Sequence, residues 1–279
     1  SNFILRFVKL AVAVILTFSL LWAPFCLYSS STCLDGLLQV LHRIFPVGRG
    51  LFEDKVANFW CCLDLFIKLR QRISSQQHLV YLCTGMTLLG FLPSIIDLLR
   101  RQPTRTRFFL ALFNSSLSFF LFSYQVHEKS ILLPLLPMAF LMSEASLLSS
   151  WFAVLSTFSM YFLLEKDGLL LPYIVGMVGY VCFGIYPYLM SSRLHQTNVT
   201  ATGVNSDGST QLWQRLFVMI SLLGMLALHI AKATVPPPAK YPHIHMYLFA
   251  MYSCVQFLLT LVYTTYWQWT LPIVKTKRD

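Results

Sequence analysis

Apolar blocks of about 17–25 residues recur along the whole chain, and each is long enough to cross a hydrocarbon core of roughly 30 Å as a helix. Inside lipid every backbone N–H and C=O must be satisfied within the segment, or within a closed barrel. Alternation of period two is not seen, so the pattern reads as an all-α polytopic membrane protein. Eight blocks qualify as spans, at 8–28, 79–99, 107–125, 130–147, 149–164, 169–190, 213–232 and 244–270. Composition removes the water-soluble alternative: only 11% of residues are charged, 56% are hydrophobic and the mean hydropathy is +0.63. A soluble domain carries about a quarter charged residues and needs them to cover its surface.

A net charge of +10 could suggest nucleic acid. The basic residues, however, fall in short clusters between apolar blocks, where membrane topology accounts for them. Nucleic acid is therefore set aside as a partner, and membrane lipids take its place. The tail Lys275-Thr276-Lys277-Arg278-Asp279 matches the KxKxx pattern of cytosolic dilysine retrieval signals. Lys275 and Lys277 then predict a cytosolic C-terminus and an endoplasmic-reticulum membrane location. Counting back from that end, and leaving out 29–78, the cytosolic flanks hold eleven Lys and Arg against four on the other side. This is the bias that the positive-inside rule requires.

Segment 29–78 breaks the pattern. Its stretch from Val56 to Leu69 is apolar but short, and it contains Asn58, Asp64 and Lys68. Such a segment suits a re-entrant or interfacial helix within one long lumenal loop. The expected organisation is 1–28, cytosolic flank and first span; 29–78, lumenal loop; 79–190, five spans; 191–212, flexible cytosolic loop; and 213–279, two spans and tail. The sequon at Asn198 falls in the cytosolic loop and is expected to be unused. Ser1 stands where an initiator Met would, and Arg6 and Lys9 lead straight into an apolar block. The chain thus reads as a portion of a longer protein. Its cysteines lack metal-site spacing, and the disulfide considered joins Cys33 to Cys61 or Cys62. Trp60, Trp267 and Trp269 read as interfacial belt residues.

Mid-helix charges are nearly absent: Asp97, Glu144, His229 and Lys232 lie near helix ends. Ion-coupled transporters keep such groups near the midplane, so a polytopic lipid or solute transporter is the weaker reading. Polar chemistry gathers instead at two lumenal places. One runs from His42 through Arg43, Arg49, Glu53, Asp54, Lys55 and Asn58 to Trp60; the other is His127-Glu128-Lys129-Ser130. Together they offer cations, carboxylates, a histidine and aromatic rings. A lipid-phosphate sugar donor asks for this set, because cations stabilise the departing phosphate and the acceptor hydroxyl needs a carboxylate base or an orienting hydrogen bond.

The strings RIFPVGRGLFEDKVANFWC (Arg43 to Cys61) and FSYQVHEKSILLPLLP (Phe122 to Pro137) resemble signatures of the dolichyl-phosphate-glucose-dependent α-1,3-glucosyltransferases of N-glycan assembly. The FEDKVANFWC wording lies closer to the branch that adds the first glucose to the nine-mannose lipid-linked oligosaccharide than to the branch adding the second. The resemblance implies the C-terminal half of a C-type glycosyltransferase fold, an inverting mechanism, and dolichyl phosphate glucose as donor, with no cofactor or metal identified. It also implies a dolichol-diphosphate-linked oligosaccharide acceptor. Arg43, Arg49 and Lys129 are assigned to the donor phosphate, His127 and Asp54 to catalysis, and Glu53, Lys55, Asn58 and Glu128 to the acceptor or to shaping the site. In this family the general base is an aspartate of the first lumenal loop, expected upstream of Ser1, so this portion alone is expected to be inactive. No protein partner is indicated.

Overall fold

The computed structural model describes residues 2–28, 32–44, 55–73, 75–102, 104–190 and 208–272. Within them every regular element is helical. The chain divides into two units, Ser1–Gly50 and Leu51–Asp279.

The first unit holds α1 (Asn2–Leu27) and α2 (Cys33–Ile44). Helix α1 exposes apolar side chains on every face, as a helix solvated by lipid does. Cys26, in its last turn, is joined by a disulfide to Cys33, the first residue of α2. The expected pairing of Cys33 with Cys61 or Cys62 is therefore corrected, and both of those remain thiols. A short connection folds Cys33 back onto the end of α1, whereas Cys26 was hidden from a sequence reading inside an apolar block.

The second unit begins with two short helices, α3 (Phe59–Ile67) and α4 (Leu69–Arg72). Then come α5 (Gln76–Arg100), α6 (Arg105–Phe122), a 3₁₀ turn (Glu128–Ile131), α7 (Leu132–Phe140), α8 (Ser146–Ser159) and α9 (Tyr161–Lys166). It closes with α10 (Leu170–Met190), α11 (Gly208–Thr234) and α12 (Ile244–Thr270). Helix α10 passes through a π segment at Tyr180–Ile185, where the Tyr186 amide reaches back to the Val181 carbonyl. Pro187 follows and has no N–H for the ordinary α register.

Side-chain contacts give the direction of each helix. Phe140, closing α7, stacks on Phe109 near the start of α6 at 4.9 Å. Phe158, closing α8, stacks on Phe249 near the start of α12 at 4.6 Å. At mid-height Phe113, Phe152 and Phe257 bring α6, α8 and α12 together, with centroids 5.0 and 5.7 Å apart. The indole N–H of buried Trp151 donates to Ser221 Oγ at 2.8 Å, and Ser221 in turn donates to Gln256. Gly224 lets the Tyr252 hydroxyl approach α11, since a Cβ there would collide with it. Successive long elements therefore run in alternating directions between two ends of the bundle.

Five helices among the described residues are long and apolar enough to cross a membrane: Ile4–Leu27, Gln76–Arg100, Leu170–Met190, Leu212–Thr234 and Ile244–Thr270. The expected count of eight is not reproduced on that measure. Helix α7 is only nine residues, about 13 Å at 1.5 Å per residue, and α8 has fourteen residues. Helix α6 carries Arg105, Arg107, Asn114 and three serines. Leu110, Phe113, Leu117 and Leu121 of α6, and Trp151, Phe152 and Leu155 of α8, are fully buried. A helix face buried against other helices does not need the uniform apolarity that lipid contact demands.

At the end of the bundle away from α3, Asp97, near the end of α5, and Arg107, in the first turn of α6, form a buried ion pair. Their exposures are 1% each. Arg107 Nη1 lies 3.0 Å from both Asp97 oxygens, and Nη2 donates to the Leu271 carbonyl at 3.0 Å. Gln268 Nε2 donates to Asp97 at 3.1 Å and to the Ser94 carbonyl at 3.0 Å. Asn114 Nδ2 bridges Ser94 Oγ and Gln268 Oε1, and the Thr264 hydroxyl donates to Asn114 Oδ1. The tight turn between α5 and α6 sets Asp97 opposite Arg107, and the end of α12 closes over them. Arg107→Ala should lower stability by about 3–5 kcal/mol, because the Asp97 charge is left buried alone. The double variant Asp97→Asn, Arg107→Met should recover most of that loss. Thermal melting of the detergent-solubilised protein reads both, and an Arg107→Ala protein melting like the wild type would refute the assignment.

Candidate functional site

Of the two polar clusters singled out in the sequence, the part from Lys55 to Trp60 and the turn His127–Ser130 belong to the end of the second unit opposite the Asp97–Arg107 pair. Their meeting point is Trp60, expected at a membrane interface but 2% exposed. Its indole N–H donates to the Phe122 carbonyl at 2.7 Å, at the last residue of α6 and five residues before His127. Phe59 packs edge-on against the Phe122 ring at 5.5 Å. Leu69, Leu79 and Cys83 complete a small core around Trp60, with Tyr124 packed against it. Of the other tryptophans expected in the belt, Trp269 is 37% exposed and its indole donates to the Pro93 carbonyl at 3.2 Å, while Trp267 packs against the main core.

Helix α3 is built for this position. Asn58 is its N-cap, extended at φ −105 and ψ 168, and its side-chain oxygen accepts the Cys61 N–H at 2.8 Å. Asn58 is 1% exposed, so its amide is used inside the protein and shapes the loop. Val56 and Ala57 are also buried and tie the preceding strand of chain into the main core. Helix α3 ends at Lys68, whose left-handed backbone at φ 50 stops it after nine residues. Nine residues rise about 13 Å, too little to span a membrane. Leu65, Phe66 and Ile67 point outward while Trp60 points in, as suits the expected re-entrant or interfacial helix.

Lys55 lies half-buried at the mouth of this region. Its ammonium sits 5.3 Å from the centroid of the Tyr247 ring and 4.0 Å from Met246 Sδ, both in the first turn of α12. A cation over an aromatic face is attracted by the ring quadrupole, more strongly when partly desolvated. Burial lowers the Lys55 pKa from the ordinary lysine range. Nothing in the sequence paired Lys55 with Tyr247, since the two are nearly 200 positions apart.

On the other side of Phe122, the chain runs through Tyr124 to Val126 into the 3₁₀ turn. The His127 carbonyl accepts the Ser130 N–H at 2.9 Å, and fully buried Ile131 anchors the turn. His127 and Lys129 are both exposed and Glu128 is half-buried. A histidine and a lysine two residues apart are thereby displayed on a rigid turn, beside the end of α6 that Trp60 holds. Arg43 closes α2 in the first unit and is exposed. Arg49, Glu53 and Asp54, with Lys275 and Lys277 of the tail and the sequon at Asn198, lie outside the described residues.

A third group at this end was legible only in part. Lys232 donates to Tyr161 Oη at 2.9 Å and pairs with Glu165, with its ammonium 4.7 Å from the Tyr161 ring centroid. His229 Nδ1 faces the Met225 carbonyl at 2.7 Å, so Nδ1 carries the proton and Nε2 accepts from the Tyr173 hydroxyl at 2.9 Å. His229 and Lys232 stood out as polar residues near a helix end. The i, i+4 spacing of Tyr161 and Glu165 was the available hint of their partners.

The buried Asn58 cap and the Trp60 anchor can be weighed separately. Asn58→Ala should cost about 1 kcal/mol while Asn58→Asp keeps the cap. Trp60→Phe should cost about 1–3 kcal/mol by leaving the Phe122 carbonyl without a donor. Melting temperatures in detergent would decide it: equal stability of Trp60→Phe and wild type would exclude the anchor.

The model of the ALG6, ALG8 glycosyltransferase family matches residues 1–263. Three relatives illustrate the similarity, each named dolichyl pyrophosphate Man9GlcNAc2 alpha-1,3-glucosyltransferase. The Mus musculus protein is 40% identical over 92% of this chain and 51% of its own length. The Gallus gallus protein is 38% identical over 93% and 52%, and the Saccharomyces cerevisiae protein 34% over 96% and 50%. The chain spans about half the length of these relatives. With the resemblance running through both motifs and nearly the whole sequence, the chain belongs to the ALG6, ALG8 glycosyltransferase family.

Proposed function

We propose that the protein carrying this chain transfers glucose from dolichyl phosphate glucose to the nine-mannose dolichol-diphosphate oligosaccharide, forming the first α-1,3-glucose linkage with inversion. The observation that carries this reading is the junction of the two motifs. Trp60 hydrogen-bonds the Phe122 carbonyl, and exposed His127 and Lys129 follow on the same turn. The relatives at 34–40% identity, named Man9GlcNAc2 alpha-1,3-glucosyltransferases, support an α-1,3-glucosyl transfer.

In this reading the site lies on the lumenal side of the endoplasmic-reticulum membrane, at headgroup depth, and the C-terminus is cytosolic. As the glycosidic bond breaks, negative charge grows on the dolichyl phosphate. His127 and Lys129 stabilise it with charge-assisted hydrogen bonds, a role that the family resemblance also gives Arg43 and Arg49. Lys55, steadied by Tyr247, contributes positive potential from the other side of the junction. Asp54, Glu53 and Glu128 orient the acceptor, and the base that deprotonates its hydroxyl comes from elsewhere in the whole protein.

Microsomes lacking first-glucose activity, supplied with the full-length protein, should gain one hexose on the nine-mannose lipid-linked oligosaccharide, read by mass spectrometry. A gain confined to the already monoglucosylated species would assign the second-glucose step instead, and a gain on neither would overturn the proposal. His127→Ala in the full-length enzyme should lose at least about tenfold in turnover, or about 1.4 kcal/mol of transition-state stabilisation. Normal turnover in that variant would remove His127 from the phosphate role.

A further inference from the structure

We infer that α2 is a lipid-surface helix, clamped by the Cys26–Cys33 disulfide to the boundary where α1 leaves the membrane. The inference concerns how the chain meets the bilayer and holds whichever sugar step the protein performs.

Helix α2 is a well-formed amphipathic element. A capping box starts it: the Thr32 hydroxyl donates to Asp35 Oδ2 at 2.7 Å, and the Asp35 N–H donates back to Thr32 Oγ1 at 3.2 Å. Leu34, Leu37, Leu38, Leu41 and Ile44 recur at helical spacing along one stripe. Asp35, Gln39, His42 and Arg43 occupy the rest of the circumference. Leu34 is 64% exposed, Leu38 51% and Ile44 54%, while Leu37 is half-buried, so most of the stripe is uncovered within its own unit. At twelve residues the helix measures about 18 Å and cannot span a bilayer.

The disulfide says what covers the stripe. Cys26 belongs to the last turn of the candidate span Ile4–Leu27, and Cys33 is the first residue of α2. Helix α2 therefore starts at the depth at which α1 emerges from hydrocarbon. If it ran back along α1, His42 and Arg43 would be carried about 14 Å toward the bilayer centre, where ionisable groups are strongly disfavoured. If it ran outward, the whole leucine stripe would face water. Lying in the membrane plane, the stripe enters the acyl boundary while Asp35, Gln39, His42 and Arg43 face the headgroups. Arg43 then stands at the level of lipid phosphates.

The test uses the full-length protein in vesicles of phosphatidylcholine and phosphatidylinositol, with a fraction of the phosphatidylcholine bearing an acyl-chain diazirine. After photolysis, adducts are mapped by mass spectrometry. Adducts are expected on Leu34, Leu38, Leu41 and Ile44, with Asp35 and Gln39 at background. Adducts on Leu16 and Phe18 of α1 report that each preparation is inserted. In Cys33→Ser, labelling of the stripe should fall toward that of the polar face while α1 stays labelled. An unlabelled stripe beside a labelled α1, as when another protein segment covers it, would overturn the inference; so would equal labelling of both faces. An unchanged pattern in Cys33→Ser would overturn the clamp.

Discussion

Arg107 is a permanently charged side chain buried among apolar helices, and the arrangement of the second unit depends on its charge being neutralised. Desolvating a guanidinium is costly unless counter-charge and hydrogen bonds replace water. Asp97 supplies the charge, and the Leu271 carbonyl adds an acceptor. Asp97 then needs its own partners and finds them in Gln268 and Arg101. Gln268 binds Asn114, and Asn114 binds Ser94 and Thr264. Each member is placed by another member, so α5, α6 and α12 have one common register at this end. Arg101 tightens it from outside, donating to the Trp269 carbonyl while its guanidinium lies over the Trp269 ring.

Fixing one end of the bundle leaves the other end to present loops. There the elements meet by aromatic contact and single hydrogen bonds: Phe59 and Trp60 on Phe122, Lys55 on Tyr247, Phe158 on Phe249. Such contacts define position while keeping polar side chains at the surface. His127 and Lys129 stay exposed because the 3₁₀ turn is held by its backbone and by buried Ile131. Gly90 contributes in the same sense, since a Cβ there would come within 2.9 Å of Ser118 Oγ and 3.1 Å of the Phe122 ring. Its absence lets α5 approach α6 closely beside the residue to which Trp60 is tied.

Much of this was legible one residue at a time. Block length gave the membrane class and the positions of the long helices; the short stretch after Val56 gave a helix too short to cross. The break between the fourth and fifth blocks lies beside the turn between α7 and α8. What failed shares a single cause. Asp97 was read only as a charge near a helix end, Trp60 as an interfacial residue, and Cys33 as a partner of Cys61 or Cys62. In each instance the answer depended on a neighbour that the residue's own surroundings in sequence do not reveal. Eight apolar blocks also looked equivalent, although the helices that form in three of them are short or carry a buried polar face.

The sequence by itself determined that this chain is a polytopic helical protein and which two stretches carry its distinctive polar chemistry, because hydrophobic length and residue type are local properties. The tertiary structure alone decided that Trp60 joins those stretches, that Lys55 rests on Tyr247, and that Arg107 is neutralised by Asp97. Those are pairings across the bundle. They follow from which helix faces can pack together while buried charges and most buried polar groups find partners without water.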